Sequence, residues 1–433
     1  MSDKKILIQK QETKVSVAFI AWFVAAIFYM YQYIWRVTPN VLSLELREHF
    51  SLNADQFSTF GSLYFMFYSL MQIPMGILLD KVGTKLMILS CLILSIIGGA
   101  LFIHTDEVIV AQLARILMGI GASTAFMCGL KIISDNLPSK FHGFMMGLTL
   151  TIGTAGAIFS SIGLGVISSS IGWHDALSMT LVGGCGVLIL VYLTKFPRDF
   201  HKTRDYDAQG IDLLEKTNTT MQSVLKILTN KGIMGYAIIA VGLYTPLSAM
   251  TDLWGSAFLM ARFALSKIEA ANISMMLYVG LAIGSIILPS LADAWKKPKI
   301  LVLACTLIIT LLFVVLLYGP VLNKKYLILL LFTIGFFCGA EMTCFAASLA
   351  FVSARKSGLA IGVVNTLNMM ANALLQQGIG KILDTRWSGG YSSGVKSYDA
   401  GDFSAALSVI ILVMLICCIV SYYVKDPKDS NSK

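Results

Sequence analysis

The sequence predicts an all-α membrane protein in which twelve transmembrane helices form two pseudo-symmetric bundles of six. Of the 433 residues, 56% are hydrophobic and only 13% are charged, whereas a soluble domain carries about 25% charged residues. Twelve apolar windows reach the length of about 20 residues that a helix needs to cross the hydrocarbon layer. Only helices and closed barrels span lipid, and these windows are too long and too evenly apolar for barrel strands.

The first two helices have recognisable ends. A polar arm with lysines precedes the first window without a small-residue cleavage site, so we interpret that window as a retained helix. Pro39 predicts a bend or an end of this helix, and Asn53 with Asp55 predicts the N-cap of the second. The twelve windows cover residues 15–37, 57–79, 84–103, 108–130, 143–167, 175–195, 232–254, 270–292, 299–319, 326–352, 358–382 and 403–424.

A polar segment divides the windows into six and six. Residues 196–231 carry charges of both signs and contain no spanning window, so we interpret them as a cytoplasmic linker. Within it, Ile211–Leu228 predicts a short amphipathic helix on the membrane surface. The predicted organisation is an N-terminal arm at 1–14, a first bundle at 15–195, the linker at 196–231, a second bundle at 232–424 and a tail at 425–433.

The two halves also repeat each other weakly. Asp293 follows Asp80 by 213 positions, and each acid is followed by basic residues between two apolar windows. Gly143-x-x-x-Gly147 recurs as Gly358-x-x-x-Gly362 at the starts of windows 5 and 11. Small residues at this spacing let helices approach closely, and an internal repeat indicates a duplicated architecture.

The basic charge is a topological signal. With the N-terminus in the cytoplasm, roughly two-thirds of Lys and Arg fall in the cytoplasmic connections, as the positive-inside rule requires. This distribution accounts for the net charge of +9, so it does not indicate nucleic acid. It predicts a monomeric multi-pass protein of the plasma membrane, with the bacterial inner membrane favoured, and with both termini in the cytoplasm.

No pattern of a cofactor site or an enzyme is present in the sequence. All eight cysteines lie within apolar windows, without a C-x-x-C pair or metal spacing, so neither a disulfide framework nor a zinc site is indicated. There is no nucleophile–base set and no phosphate-binding G-x-x-x-x-G-K-[ST] loop. We therefore expect a protein that is not an enzyme and holds neither a metal nor a cofactor.

The stretch Gly76–Lys85, G-I-L-L-D-K-V-G-T-K, joins two membrane-length helices. Gly76 favours close packing of the helix end, Gly83 allows the positive φ of a tight turn, and Asp80 is available to pair with a base or to cap a helix. The spacing G-x-x-x-D-[RK]-x-G-x-[RK] resembles the loop between helices 2 and 3 of major facilitator superfamily transporters. The resemblance covers essentially the whole chain and implies a gate formed by Gly76, Asp80, Lys81, Gly83, Lys85 and, in the degenerate second copy, Asp293.

Arg36 is the strongest candidate for a substrate contact. Ionisable groups inside spanning helices are costly and mark functional sites, and Arg36 shares a helical face with Tyr29 and Tyr33. Its planar guanidinium can hold a carboxylate or a phosphate with two bonds. A helix 1 arginine grips the substrate anion in the organic-anion and organophosphate branches that the chain resembles. The alternatives are an arginine that reaches the outer interface or one that pairs with Glu45.

Two other buried charges are candidates for proton coupling. Arg115 lies in A-R-I-L-M-G-I-G-A, which resembles the helix 4 motif R-x-x-x-G-x-G, with Met118 where the family usually has Gln. In the family this arginine is associated with proton coupling or with ordering the core. Glu341 lies deep in window 10, where an isolated ionised carboxylate is costly and tends to hold a proton. A neutral acid bonded to a facing helix is the alternative. The proton-coupling candidates are Glu341, Arg115 and Asp252.

A ladder of amides lies on helix 11. Asn365, Asn368, Asn372 and Gln376 share one helical face, which makes them either glue between helices or the wall of a cavity. We favour the cavity, because helix 11 faces the pore in the family that the chain resembles. Tyr244, Ser248 and Thr251 on helix 7 are further candidates for the lining. The predicted substrate-site residues are Arg36, Tyr29, Tyr33, Tyr64, Tyr68, Asn365, Asn368 and Asn372.

These observations predict a secondary active transporter that moves a small anionic or zwitterionic organic solute by alternating access, coupled to protons. One arginine, with Ala249 at the corresponding position of helix 7, favours a monoanionic carboxylate over a doubly charged organophosphate. The alternatives are a uniporter or exchanger of small peptides, organophosphates or a siderophore, and a scaffold or sensor that does not transport. The expected partners are the solute, protons and the lipid bilayer.

Overall fold

The structure is a computed structural model that describes residues 2–137, 142–197, 217–352, 357–392 and 395–425. Within it, side chains are described from residue 16 onward, apart from those at 80, 142–144, 217–221, 223, 293, 357–358 and 392. The side chains of the predicted gate acids Asp80 and Asp293 thus lie outside the described residues. Residues 211–216 of the predicted linker helix also lie outside the described residues, whereas its remaining part, Thr217–Leu228, is helical.

Almost the whole described chain is helical. A short antiparallel hairpin joins Gly390–Ser392 (β1) to Val395–Ser397 (β2), with Tyr391 opposite Lys396. Two π-helical turns occur at Ser160–Leu164 and Met250–Trp254. The α-helices are Ser2–Val41 (α1), Ser43–His49 (α2), Ala54–Val82 (α3), Thr84–Ile103 (α4), Val108–Ala122 (α5), Ala125–Asn136 (α6), His142–Phe159 (α7), Gly165–Ile171 (α8), Trp173–Leu193 (α9), Thr217–Leu228 (α10), Lys231–Ala249 (α11), Gly255–Phe263 (α12), Lys267–Ser274 (α13), Met276–Trp295 (α14), Pro298–Tyr318 (α15), Lys324–Cys338 (α16), Glu341–Leu349 (α17), Ser357–Arg386 (α18) and Ala400–Tyr423 (α19).

Twelve stretches of the described chain are long and apolar enough to cross a membrane, which confirms the predicted fold class. Several consist of two helices in line, because a π-turn or a short break interrupts them. We call these stretches spans 1 to 12: Ser16–Val41, Ala54–Leu79, Thr84–Ile103, Val108–Asn136, Met145–Ile171, Trp173–Leu193, Lys231–Phe263, Lys267–Ala292, Pro298–Tyr318, Lys324–Leu349, Leu359–Arg386 and Ala400–Tyr423.

The ends of the first two spans follow local chemistry. Asn53 accepts a bond from the N–H of Gln56, whose side chain accepts from the N–H of Asn53, so the predicted N-cap is a complete capping box. Pro39 does not end the helix of span 1, which continues to Val41, and the bend that Pro39 also predicts stays a prediction. A proline removes only one backbone donor, and a terminal turn tolerates that loss. The arm at 1–14 continues the first helix, which begins at Ser2.

Single glycines make the tightest connections. Gly83 separates α3 from α4 with a φ of 86°, and Gly172 separates α8 from α9 with a φ of 89°. Side chains other than glycine rarely adopt this region, so both turns depend on glycine. Gly76, in contrast, has space for a side chain, since a Cβ there would meet only the Met127 sulfur at 3.7 Å. The close packing predicted for Gly76 is therefore absent from this structure.

The two halves, spans 1–6 and spans 7–12, meet along span 2 against span 11 and span 5 against span 8. We call the side that carries the connection at residues 42–53 the distal face. Close to this face, the position of a Cβ at Gly380 of span 11 would lie 2.0 Å from the Ser58 hydroxyl of span 2. Deeper in the interface, Gln377 donates to the Ser62 hydroxyl at 2.9 Å. The halves are thus closely packed from the distal face inward.

Spans 8 and 10 approach each other through glycines within the C-terminal half. A Cβ at Gly284 would lie 1.9 Å from the carbonyl oxygen of Phe336, and one at Gly335 would lie 2.0 Å from that of Leu277. Backbone atoms cannot move aside as a flexible side chain can, so these contacts require glycine. Such close approach is how helices associate in lipid, where no hydrophobic driving force acts between them.

We expect Gly284→Ala to destabilise the protein by about 1–3 kcal/mol, the usual cost of overpacking. The measurement is the thermal unfolding midpoint of the purified protein. Gly183→Ala is the matched control, because nothing lies within 4 Å of a Cβ at Gly183 on span 6. Equal midpoints for the two variants would contradict the packing argument.

Candidate substrate-binding site

A buried ion pair joins the two halves. Arg36 Nη2 of span 1 lies 3.3 Å from Asp252 Oδ2 of span 7, and both side chains are buried. The hydroxyl of Tyr278 donates to Asp252 Oδ1 at 2.6 Å, and that of Tyr244 donates to Oδ2 at 3.2 Å. Asp252 therefore sits in a cage of three donors drawn from spans 1, 7 and 8, in which only Arg36 carries a charge.

Aromatic rings surround the guanidinium of Arg36. Its Cζ atom lies 4.9 Å from the ring centre of Tyr33, 4.7 Å from that of Phe65 and 5.3 Å from that of Tyr244. Cations are attracted to the faces of aromatic rings, most strongly where water is excluded. The rings hold the guanidinium between the halves, while its Nε has no hydrogen-bond partner among the described residues.

Asp252 lies within the π-helical turn of span 7. This turn ends with the N–H of Gly255 donating to the carbonyl of Met250, five residues earlier. The next N–H, that of Ser256, donates to Asn40 Oδ1 of span 1 at 2.8 Å. Such turns are often found at functional sites, and this one places Asp252 opposite Arg36 while Asn40 binds its end from the other half.

Further bonds close the distal face above this pair. Lys267 of span 8 forms an ion pair with Glu45, so the alternative pairing of Arg36 with Glu45 is not the one observed. Arg47 donates to the carbonyl of Lys396 in the hairpin at 2.6 Å, and the Tyr398 hydroxyl accepts from the N–H of Ala54 at 2.9 Å. Burial lowers the pKa of Arg47 and raises that of Tyr398. The hairpin between spans 11 and 12 thus ties the halves together.

Arg115 lies in the N-terminal half, beside the Arg36 cluster, by which we mean Arg36, Asp252, Tyr244, Tyr278 and Asn40. Its Nη1 donates to the carbonyl of Trp35 at 2.8 Å, and its Cζ lies 4.8 Å from the ring centre of Tyr64. Its Nε and Nη2 are buried without a hydrogen-bond partner among the described residues. The carbonyl bond links spans 1 and 4, and the two unused donors remain available to an anion or to water.

Glu341 begins the second helix of span 10, directly after a break in that span. The side chain is buried, and its Oε1 accepts from the amide of Asn368 at 2.6 Å. The Asn372 amide donates to Asn368 Oδ1 at 3.0 Å, and Gln376 donates to the carbonyl and the hydroxyl of Ser248 at 2.9 and 3.0 Å. These groups form a chain of bonds between spans 7, 10 and 11.

The remaining predicted residues lie in three places. The hydroxyls of Tyr29 and Tyr33 lie 3.4 Å apart, and the Tyr33 ring packs edge-on against that of Tyr278, so this pair adjoins the Arg36 cluster. Tyr68 stacks with Tyr64 on span 2 and contacts Asn365 of span 11. The predicted gate residue Lys85 lies apart from the cluster, since it donates to the carbonyls of Tyr192 and Thr194 at the end of span 6.

Two residues of the cluster did not emerge from the sequence. Tyr278 occurs in an apolar window with no polar neighbour that would single it out. Asn40 follows a proline at the end of span 1, where an ordinary turn residue is equally expected. Partners as far apart in the chain as Asn40 and Ser256 leave no local pattern. In the described part of the chain, no group of three His, Cys, Asp or Glu side chains is placed to hold a metal.

The sequence profile of the Major Facilitator Superfamily matches residues 17–375. That range includes the Arg36–Asp252 pair, the whole of spans 2 to 10 and the greater part of spans 1 and 11, while span 12 lies beyond it. The chain belongs to the major facilitator superfamily. The resemblance carried by Gly76–Lys85 is thereby confirmed.

Three relatives of this superfamily member carry names of acids. A probable galactarate/D-glucarate transporter of Bacillus subtilis is 22% identical over 432 residues, covering 91% of this chain and 92% of its own length. A probable L-galactonate transporter of Escherichia coli is 29% identical over 37% of this chain, and a probable sulfoacetate transporter of Cupriavidus necator is 28% identical over 35%. The last two alignments span only 35% and 36% of the relatives' lengths.

Solved structures show the same superfamily fold. Two crystal structures of a bacterial homologue of the human lysosomal transporter Spinster, both described as inward-facing, superpose with TM-scores of 0.70 and 0.75. They cover 93% and 94% of this chain, and 95% and 96% of their own, at 16% and 18% identity. At this identity the likeness concerns the fold alone.

We expect Asn40→Ala to destabilise this closed arrangement, because it removes the acceptor of the Ser256 N–H and the donor to Ser274 at 3.0 Å. A buried polar group left without its partner costs about 1–3 kcal/mol. Thermal unfolding of the purified transporter measures the effect. Asn136→Ala is the control, since the Asn136 amide donates only to Ile132 within its own helix among the bonds described. An unchanged midpoint for Asn40→Ala would show that this bond does not hold the distal face closed.

Proposed function

We propose that this transporter moves a small organic acid across the membrane by binding its carboxylate to Arg36. The observation that carries the proposal is a buried guanidinium between the two halves, surrounded by tyrosine hydroxyls that already hold a carboxylate. Charge-assisted bonds to a carboxylate are stronger than those between neutral groups. The names of the relatives, which refer to galactonate, galactarate or glucarate and sulfoacetate, agree with this substrate class.

The number of charges favours a singly charged or zwitterionic acid over an organophosphate. Arg36 is the one cation that bonds to Asp252 among the described residues, whereas Arg115, beside the cluster, bonds to the carbonyl of Trp35. A doubly charged phosphate in a buried site needs more compensating charge than one arginine supplies. Hydroxyl groups along the solute have potential partners in Tyr29 and Tyr33, which adjoin the cluster.

We further propose that transport proceeds by alternating access. The ion pairs Arg36–Asp252 and Glu45–Lys267 join opposite halves, so opening the distal face requires that both break. Such contacts must break and re-form in each cycle, which limits their combined strength to a few kcal/mol. The Gly76–Lys85 connection and Asp293 are the proposed counterpart of these contacts on the cytoplasmic face.

Proton coupling is proposed to use Glu341. This carboxylate is buried, and its single described hydrogen-bond partner is the neutral amide of Asn368; ionisable groups buried within spans are typical of proton relays. Asp252, which belongs to the Arg36 cluster, and Arg115, which lies beside it, are the other candidates. We place the transporter in the bacterial inner membrane as a monomer. A uniporter or an exchanger is the competing mechanism.

The test of the substrate site is binding of a panel of acids, namely L-galactonate, galactarate, D-glucarate and sulfoacetate, each with its amide where one exists. We expect at least one acid to raise the unfolding temperature of the wild type. Arg36→Lys should weaken the binding of that acid by about 1–3 kcal/mol, because an ammonium group replaces a planar guanidinium that can donate two parallel bonds. Arg262→Lys, far from the cluster, is the control. Equal binding of the amide, or unchanged binding by Arg36→Ala, would remove Arg36 from the site.

The test of coupling is Glu341→Gln in proteoliposomes. The amide keeps the shape and can still accept from Asn368, but it cannot titrate. We therefore expect accumulation driven by a pH gradient to be lost, while exchange of labelled for unlabelled solute persists. Accumulation at the wild-type level would exclude Glu341 as the proton carrier, and a wild type that never accumulates solute would favour the exchanger or the uniporter.

A further inference from the structure

The donors that a substrate carboxylate needs are already occupied by a carboxylate of the protein. Asp252 accepts from Tyr278 through Oδ1 and from both Tyr244 and Arg36 through Oδ2. These three donor side chains belong to the proposed substrate site or lie directly beside it. The geometry around Asp252 is that of a carboxylate-binding site filled by its own chain.

The bond to Arg36 is the weaker part of this arrangement. Its length of 3.3 Å exceeds the roughly 2.7–2.9 Å typical of a charge-assisted bond, and Arg36 uses one nitrogen where the fork offers two. The Nε of Arg36 has no partner among the described residues. A ligand that accepts hydrogen bonds from two nitrogens of the Arg36 guanidinium would therefore bind Arg36 more strongly than Asp252 does.

An empty transporter needs this pairing. A buried arginine without a counter-charge is strongly destabilising, and the halves can close over Arg36 only if its charge is compensated. When solute is bound, its carboxylate supplies the charge. When no solute is bound, Asp252 can supply it, because the π-turn at Met250–Trp254 directs Asp252 toward span 1.

We propose that Asp252 is an internal counter-ion that takes the place of the substrate's carboxylate in the empty transporter and is displaced from Arg36, Tyr244 and Tyr278 when the substrate binds. This inference rests on the proposed role of Arg36. A counter-ion role for Asp252 has two consequences that substrate binding by Arg36 alone does not require. Asp252 competes with the substrate for the same donors, and it permits the empty transporter to close and return.

The first consequence is tested with formate, which is the carboxylate group that Asp252→Ala removes. Alanine keeps the Cβ atom, so the substitution leaves a space of that size beside Arg36 and Tyr278. We expect sodium formate to raise the unfolding temperature of Asp252→Ala, with affinity at least about tenfold tighter than for the wild type, because the donors that Asp252 vacates include a charged one. Formamide and sodium chloride at equal concentration should have no such effect.

The controls isolate the site. Asp135→Ala removes an exposed carboxylate paired with Lys131 at 3.5 Å, so its response to formate should equal that of the wild type. Arg36→Ala/Asp252→Ala lacks both charges and should lose the response. An equal formate response in wild type and Asp252→Ala would overturn the proposal. The proposal would also be overturned if the double variant folds but Asp252→Ala cannot be purified in folded form in formate, because formate would then fail to replace Asp252.

The second consequence is tested in proteoliposomes with Asp252→Asn and the best-bound acid of the panel. Without its counter-ion the empty transporter should not return, so net downhill uptake should be lost while exchange between labelled and unlabelled solute continues. Asp135→Ala, in contrast, should retain net downhill uptake. Wild-type net uptake by Asp252→Asn overturns the internal counter-ion but leaves the proposed function intact. Wild-type binding by Arg36→Ala overturns the proposed function itself.

Discussion

The structure depends on one constraint, that a charge buried between helices must be compensated by groups of the protein because lipid offers none. Arg36 satisfies it across the interface of the two halves by pairing with Asp252. Tyrosine hydroxyls and aromatic rings complete the surroundings of the pair. Because the two charges belong to different halves, their pairing is also a contact between the bodies that alternating access would move. Binding chemistry and conformational change therefore share the same atoms.

Irregular backbone places these charges. The π-turn at Met250–Trp254 contains Asp252, and the break before Glu341 divides span 10. Regular helices satisfy all their backbone groups internally and offer lipid nothing to bind. Departures from regular helix are tolerated at membrane depth only where other parts of the protein cover them. The π-turn and the break before Glu341 both lie in buried surroundings. Asn40, which accepts from the N–H directly after the π-turn, shows how the opposite half covers one of them.

The amide ladder on span 11 has a different place from the Arg36 cluster. Asn368 and Asn372 bond to Glu341, to each other and to the backbone of span 7. They connect the proposed proton carrier to the helix that carries Asp252. Both carboxylates are thus tied to span 7, Asp252 as part of that span and Glu341 through the two asparagines.

The sequence by itself determined that the chain lies in a lipid bilayer, how many spans it has and which polar residues share a face of one helix. Hydropathy fixes these properties, since a helix in lipid must be apolar over its whole length, and helical spacing alone places Arg36 with Tyr29 and Tyr33. Only the tertiary structure decided the partners. Glu45 is close to Arg36 in the chain, yet Arg36 pairs with Asp252, 216 positions away. Periodicity describes one helix at a time, whereas an ion pair between halves depends on how two bundles dock, which no local pattern records.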